Sequence, residues 1–269
     1  MTDMQHHLPE PLQAFGPLAE ALSPAIQQVE AAYLKYREQK DAGRILENSV
    51  EALRVELTYH SNAIEGSTLS LRETQLVIEG YAPISGKTLR EIYEARNHDR
   101  ALRRIEEWVQ ERPLPLPLTE QDIFDVHADV LADIAPRSAG RFRTDRVLIK
   151  GTRFIPPGSH KFAELIPTML ELANLTGMHP VLQAAELHYN FVAIHPFADG
   201  NGRTARLLMN HHLLRHGYPH TIIEVENRAQ YLTALDEANV GRCEKFAIFV
   251  LQSAERSIQR IKGDILLFD

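Results

Sequence analysis

His195, Asp199, Arg203 and Arg206 fall within one stretch of twelve residues, His195-Pro196-Phe197-Ala198-Asp199-Gly200-Asn201-Gly202-Arg203-Thr204-Ala205-Arg206. Their types and spacing suit a polyphosphate. Gly200, Asn201 and Gly202 permit a tight turn whose amides face an anion, at the start of a helix whose unpaired N–H groups and dipole favour negative charge. Arg203 and Arg206 are three residues apart, so on the first helical turn both reach the same ligand. Asp199 beside them is a poor phosphate neighbour unless a cation such as Mg²⁺ lies between. His195 adds a group that titrates near neutrality and can act as a base.

Two helices position this stretch. From Pro180 to Ile194, residues Ala184, Leu187, Phe191 and Ile194 recur at helical steps, and Leu207, Leu208, Leu213 and Leu214 continue a second pattern that stops at Gly217. The reactive groups therefore sit in a loop clamped between two buried helices.

Taken singly, a His-Pro is a helix end, a Gly-Asn-Gly is a turn, and two arginines are a solvated face. In combination the stretch resembles the full signature of the Fic family, His-Pro-Phe-x-Asp/Glu-Gly-Asn-Gly-Arg-x-x-Arg. That resemblance implies transfer of AMP from ATP to a hydroxyl side chain of a target protein. It implies an all-α helical bundle with a small β-hairpin flap, His195 as catalytic base, Asp199 as ligand of Mg²⁺ (or Mn²⁺), and Gly200, Asn201, Gly202, Arg203 and Arg206 as nucleotide-binding residues.

A second motif lies far upstream. Ser61 and Glu65 are four apart and share a helix face, with Gly66 placed to cap the helix. A carboxylate near a helix C-terminus is opposed by the dipole and asks for a positive partner. Ser61-x-x-x-Glu65-Gly66 resembles the family's inhibitory motif, Ser/Thr-x-x-x-Glu-Gly/Asn, which implies a class II member with its own inhibitory helix (about 58–66). In that class the Glu pairs with the second signature arginine, here Arg206, and keeps ATP from a productive pose. The order of motifs is most similar to that of the animal endoplasmic-reticulum members, whose tetratricopeptide repeats and membrane anchor have no counterpart in this sequence.

The rest of the chain supplies context. A helical rhythm runs from about Ser23 to Leu57, Ser70 and Glu73 fit a capping box, Tyr81 to Lys87 with Pro83 reads as a loop, and Thr88 to Val109 returns to helix. Residues 112–118, with Pro113, Pro115 and Pro117, read as an extended connector, since prolines do not sit inside a helix. A helix follows from Thr119 towards Pro136. This divides the chain into an N-terminal helical region (1–110), the connector (111–118) and a catalytic core (119–262). Val147 to Ile149 and Arg153 to Ile155 around Lys150-Gly151-Thr152 give a hairpin signal ended by Pro156-Pro157. By resemblance this is the flap (about 147–157) on which the target docks, and Gly140-Arg141-Phe142-Arg143 matches the approach to it. A helix from Tyr231 to Asn239 offers an aromatic face and an amide; by position these resemble the family's adenine-pocket residues. The last helix spans Cys243 to Ile261.

Composition bounds the class. The 269 residues are 44% hydrophobic and 24% charged, ordinary for a globular chain. A net charge of −7 argues against a coat for nucleic acid or anionic membrane. Cys243 is the single cysteine, which excludes an internal disulfide and points to a reducing cytoplasm. Met1 to Glu10 show no basic start and no apolar run of signal-peptide length. The expected partners are ATP as substrate and a target protein, without nucleic acid or membrane; self-modification and a homo-oligomer stay open. So do three alternatives: mainly removal of AMP, transfer of another nucleotidyl or phosphoryl group, and an inactive binding module. The intact Gly-Asn-Gly-Arg run favours AMP over the phosphate-transferring relatives, which carry Ala-Asn-Lys there.

Overall fold

The helix boundaries follow from local chemistry. In the computed structural model three helices open on capping boxes: α3 (Leu71–Ile78) on Ser70 and Glu73, α4 (Leu89–Glu111) on Thr88 and Glu91, and α5 (Glu120–Leu131) on Thr119 and Asp122. In each, the cap hydroxyl accepts from the N3 amide while the N3 carboxylate reaches back to the cap amide. The structure describes residues 8–81, 84–112 and 114–265. Met1–His7, Pro83 and Pro113, on which the sequence reading drew, lie outside them.

The helical rhythm expected from Ser23 to Leu57 is two helices, α1 (Ser23–Asp41) and α2 (Glu47–Ile64). Gly43, at φ 66°, turns the chain between them. The connector is not extended throughout. Leu114 and Pro115 make a turn, and Leu118 is then held on both backbone groups by the Asn174 side chain at 2.8 and 2.9 Å. A further helix, α6 (Phe162–Ala173), was not foreseen. Its buried stripe of Phe162, Leu165, Ile166, Met169 and Leu172 is regular, but Pro167 stands inside it and reads as a helix breaker.

Two helices form the centre. In α7 (Pro180–Ile194) nearly every residue is buried, and in α8 (Asn201–Arg215) all but a few are. A helix enclosed on all sides must be covered on all sides. On α8 the cover is α4, α5 and the C-terminal part of α2; on α7 it is α6 and α10 (Glu244–Ile265). The helix α9 (Arg228–Ala238) and α1 pack on α10. One hydrophobic cluster runs from Leu12 to Ile261, so the wall built by the N-terminal helices and the central pair share a core. No helix among the described residues is long and apolar enough to cross a membrane.

Among the described residues there is no strand. The flap turns at Lys150 and Gly151 as expected, yet its two arms form no ladder. Two strands alone are marginal in water, and here the Phe154 amide donates to the Thr152 hydroxyl (3.1 Å) instead of across the hairpin. The protein is all-α, with the flap an irregular excursion between α5 and α6.

Candidate active site

α7 ends at Ile194, and His195 caps it in the left-handed conformation, φ 51° and ψ 57°. It is the one non-glycine residue with positive φ among the described residues, a conformation that costs an L-residue roughly 1–2 kcal/mol. Arg143 holds it there. The Arg143 amide donates to the Pro196 carbonyl (2.9 Å) and its Nε to the His195 carbonyl (2.8 Å). Its other nitrogens donate to the carbonyls of Asp145 and Pro157, both at 2.7 Å, at the two roots of the flap.

The imidazole is fixed as a neutral base. Nδ1 lies 3.2 Å from the Val192 carbonyl; a carbonyl only accepts, so Nδ1 carries the proton and Nε2 keeps its lone pair. Burial pushes the His195 pKa down to about 4, with the Arg143 charge acting in the same sense and outweighing the Val192 bond and the nearby carboxylates.

The loop beyond it is stapled from inside. Asn201, buried, accepts from the Phe197 amide (2.9 Å) and donates to the Phe197 carbonyl (2.8 Å). Its side chain is thus spent on loop geometry. The Phe197 ring stacks on His127 at 3.5 Å and 5°. The Gly140 amide donates to His127 Nδ1 (3.0 Å), which leaves Nε2–H to donate to the Asp199 carbonyl (3.0 Å). Gly200, at φ 78°, starts α8, whose first-turn amides have no intrahelical partner.

Side chains of α2 and α4 face this loop. Arg206, 2% exposed, turns two of its nitrogens to α2: Nε donates to the Ser61 hydroxyl (2.9 Å), and Nη2 to the Ser61 carbonyl (2.9 Å) and the Glu65 carboxylate (2.7 Å). Burial raises the Glu65 pKa, but the Arg206 charge and hydrogen bond, with Arg203 behind them, outweigh it and hold the carboxyl below its ordinary range. A Cβ on Gly202 would collide with Glu65 Oε1 and lie 3.2 Å from Arg206 Nη1. The Ser61–Glu65–Arg206 constellation expected from sequence is therefore brought together in full.

The wall formed by α4 was not foreseen. Arg90 Nη2 donates to Asp199 Oδ2 (2.6 Å) and its Nε to Glu94 Oε1 (3.0 Å). Arg203, 3% exposed, places Nη1 3.1 Å from the same Glu94 oxygen. The other Asp199 oxygen accepts from the Gly200 amide (2.6 Å). Burial raises the Asp199 pKa, while Arg203, Arg90 and the Gly200 amide bring it below the usual carboxylate value. Arg90 and Glu94, an i,i+4 pair on an amphipathic helix, look in sequence like a solvated ion pair.

Between these walls lies a cavity of about 390 Å³ that touches Glu65, Arg90, Glu94, His195, Asp199 and Arg203, with Ile149 of the flap at its edge. Tyr231 is not brought to it. That residue is 2% exposed, its hydroxyl 3.1 Å from His188 Nε2, behind Arg206 rather than in front of it. Its neighbour Leu232 faces outward, lining an apolar recess under the flap with Ile149, Phe154, Val192, Leu235 and Asn239. Asn239 also borders the adjoining cleft of about 650 Å³ between the flap and α9. No group of three or more potential metal-ligating side chains occurs among the described residues.

The sequence carries the same message as this geometry. A model described as the Fic/DOC family matches residues 117–213. The chain is 38% identical over 208 residues to protein adenylyltransferase fic-1 of Caenorhabditis briggsae, covering 76% of this chain and 40% of that protein. It is 35% identical over 239 residues to protein adenylyltransferase Fic of Drosophila virilis, covering 85% and 48%; the chain spans between two fifths and one half of these curated relatives. The structure of a Fic-1 fragment from C. elegans superposes with a TM-score of 0.82 at 32% identity, over 94% of this chain and 76% of that one. A Fic domain containing signaling protein from Bacteroides thetaiotaomicron gives 0.73 at 26%, over 89% and 97%. A signature loop stapled at both ends, a matching family model and a solved relative covered over three quarters of its length agree, and the chain belongs to the Fic/DOC family.

Proposed function

We propose that this protein transfers AMP from ATP to a hydroxyl side chain of a target protein, and that Glu65 restrains it. The observation that carries the reading is one cavity lined by a neutral histidine, the start of α8 and the buried Arg203, with Glu65, the partner of the buried Arg206, in its wall. His195 Nε2 takes the hydroxyl proton as the oxygen attacks the α-phosphorus. The bond from that phosphorus to the bridging oxygen breaks, and pyrophosphate leaves towards the α8 amides, Arg203 and Arg206. The adenine goes to the recess that Leu232 and Asn239 line beneath the flap.

Asp199 fits a Mg²⁺ site of the kind that relies on one carboxylate, with the remaining positions filled by phosphate oxygens and water. Its Oδ2 is bound to no group of its own loop, only to Arg90. A divalent cation there would lower the charge of the polyphosphate. Cys243, free and buried, suits a reducing cytoplasm.

In the restrained state Arg206 is committed to Ser61 and Glu65, and the Glu65 carboxylate occupies the space beside Gly202. A charge-assisted contact of this kind is worth about 1.5–3 kcal/mol, so its removal shifts productive binding by roughly ten- to a hundredfold. Incubation with α-labelled ATP and Mg²⁺ tests this: Glu65→Gly should incorporate that much more AMP than the wild type, seen as a mass increase of one AMP. Equal incorporation across ATP concentrations would remove Glu65 from the account; a phosphate adduct, or none in either protein, would remove AMP transfer.

A second reading rests on the exposure of Glu65. Its side chain is 41% exposed and lines the same cavity as His195, so it can orient a water against an AMP-modified hydroxyl. Glu65→Gly should then lose AMP removal while it gains AMP addition.

A further inference from the structure

The charge of this chain is not spread evenly. From Arg137 to Lys161 the sequence carries seven Lys or Arg and a single acid, Asp145, a net +6; the other 244 residues carry 22 basic and 35 acidic groups, a net −13. Arg143 of this set is buried, while Arg137, Arg141, Arg146, Lys150, Arg153 and Lys161 are exposed. On α4 and its neighbours the molecule pairs its arginines, as Arg100 with Asp133, Arg103 with Asp99, Arg104 with Asp129 and Arg112 with Asp122. The six exposed cations around the flap have no ion pair among the described residues.

The pattern along the flap is finer than a basic patch. Arg146, Leu148 and Lys150 alternate with the half-buried Val147 and Ile149 and stand on the outer side; on the return arm Arg153 and Ile155 are exposed while Thr152 and Phe154 turn inward. Leu148 is 82% exposed and Ile155 67%. Two large apolar side chains thus stand in water between three cations. No backbone hydrogen bond joins the two arms, and between Arg146 and Ile155 the one backbone donor with a partner is Phe154, bonded to the Thr152 hydroxyl. This leaves edge groups for an incoming extended segment. Ile149, on the inner side, borders the cavity that holds His195.

We propose that the flap selects its target by charge: the hydroxyl to be modified lies in or beside an extended acidic segment in which carboxylates flank an apolar side chain. Alternate residues of an extended chain stand about 6.6–6.8 Å apart on one side. An acid, an apolar residue and an acid at every second position would therefore meet Arg146, Leu148 and Lys150 in register, with Arg153 and Ile155 beside them. A nucleic acid is the poorer fit, because the apolar pair and the extended backbone offer it nothing and the rest of the chain, at −13, repels a long polyanion. This selection rests on the transferase reading above, and the experiment separates the two.

The full-length Glu65→Gly protein is titrated against two fluorescein-labelled peptides, each with one Thr, built on Asp-x-Leu-x-Asp and on its Asn-x-Leu-x-Asn counterpart, and binding is followed by anisotropy. The acidic peptide should bind about five- to twentyfold tighter at low salt, with the gap closing as salt screens exposed charge. The combination Arg146→Gln, Lys150→Gln and Arg153→Gln should erase the gap; because Lys150 borders the Leu232 recess and Arg153 the adjoining cleft, Arg146→Gln alone, which lines neither these nor the cavity of His195, is the variant that should narrow the gap and leave the affinity for a fluorescent ATP analogue unchanged. Equal binding of the two peptides, a gap that survives in the triple variant, or tighter binding of a thymidine oligonucleotide than of the acidic peptide would overturn the proposal. AMP incorporated into both peptides with equal kcat/KM, bound equally, would sink the charge selection and leave the transferase standing. Preferential binding of the acidic peptide with AMP entering neither would do the reverse.

Discussion

The signature loop and the flap are adjacent and built on opposite plans. In the loop, Asn201, His127 and Arg143 tie the backbone of Pro196, Phe197, Asp199 and His195 from inside, and the one strained residue is also the proposed base. In the flap the arms do not pair, large apolar side chains face solvent, and the cations have no partners. A reaction needs atoms held to a fraction of an ångström, whereas a surface that receives a segment of another protein keeps its hydrogen-bonding groups available. Arg143 belongs to both, with one nitrogen on the His195 carbonyl and two on the roots of the flap.

The largest effect belongs to the rigid side. His195→Ala should cut AMP incorporation by about a hundred- to ten-thousandfold, the usual span for a positioned base, with ATP affinity little changed; retained transfer would take the base out of the loop. Next comes the wall on α4. Glu94→Gln in the Glu65→Gly background takes from the buried Arg203 the nearer of its two carboxylates, leaving Asp199 Oδ1 at 3.5 Å, a deficit that a polyphosphate relieves. A fluorescent ATP analogue should bind roughly tenfold tighter than to Glu65→Gly alone. Unchanged affinity would show that Arg203 does not wait on Glu94.

Arg143→Met should destabilise the fold by about 2–4 kcal/mol, since it strands carbonyls that are expensive to leave unpaired. Leu148→Ser on the flap should stay within about 0.5 kcal/mol. Equal losses in thermal unfolding would abolish the contrast between the two regions.

Acid should act on the rigid side as well. Burial holds His127, His195 and His211 at about 4 and His188 at about 3, all below the ordinary value of 6.5. The unfolded chain then binds more protons than the folded one between about pH 6.5 and 4, so these groups contribute stability that is complete above 6.5 and lost as pH falls through that window. Glu186, raised by burial to about 7, has the opposite sign and offsets one of the four. The Tm should therefore drop by several degrees from pH 7 to pH 5; a Tm that rises over that interval would contradict the burial of these rings.

What could be read in advance was what lay contiguous. The twelve residues from His195 to Arg206 carry their chemistry in order, and Ser61 with Glu65 share a helix face whichever way the helix packs. Arg90 and Glu94 were invisible because their partners, Asp199 and Arg203, are about a hundred residues away and their own spacing imitates a surface pair. Tyr231 turns inward and Leu232 outward. Adjacent helical residues point about 100° apart, and the pattern around α9 does not say which of Tyr231 and Leu232 turns inward. The flap signalled two strands, and only its turn at Lys150 and Gly151 is found, because two isolated arms gain too little from pairing with each other in water.

Gly202 has a consequence for how such a protein could change over generations. The volume that a methyl group would fill there is taken by the Glu65 carboxylate, within reach of Arg206. Under the proposed restraint by Glu65, a side chain at that position would displace the carboxylate and crowd the first turn of α8 by the same act. Release from that proposed restraint is then closed to substitution at the second glycine of the loop and open on the opposing helices, through Glu65, Ser61 or the α4 wall. A genetic selection for hyperactive variants should return changes in α2 and α4 and leave residue 202 untouched.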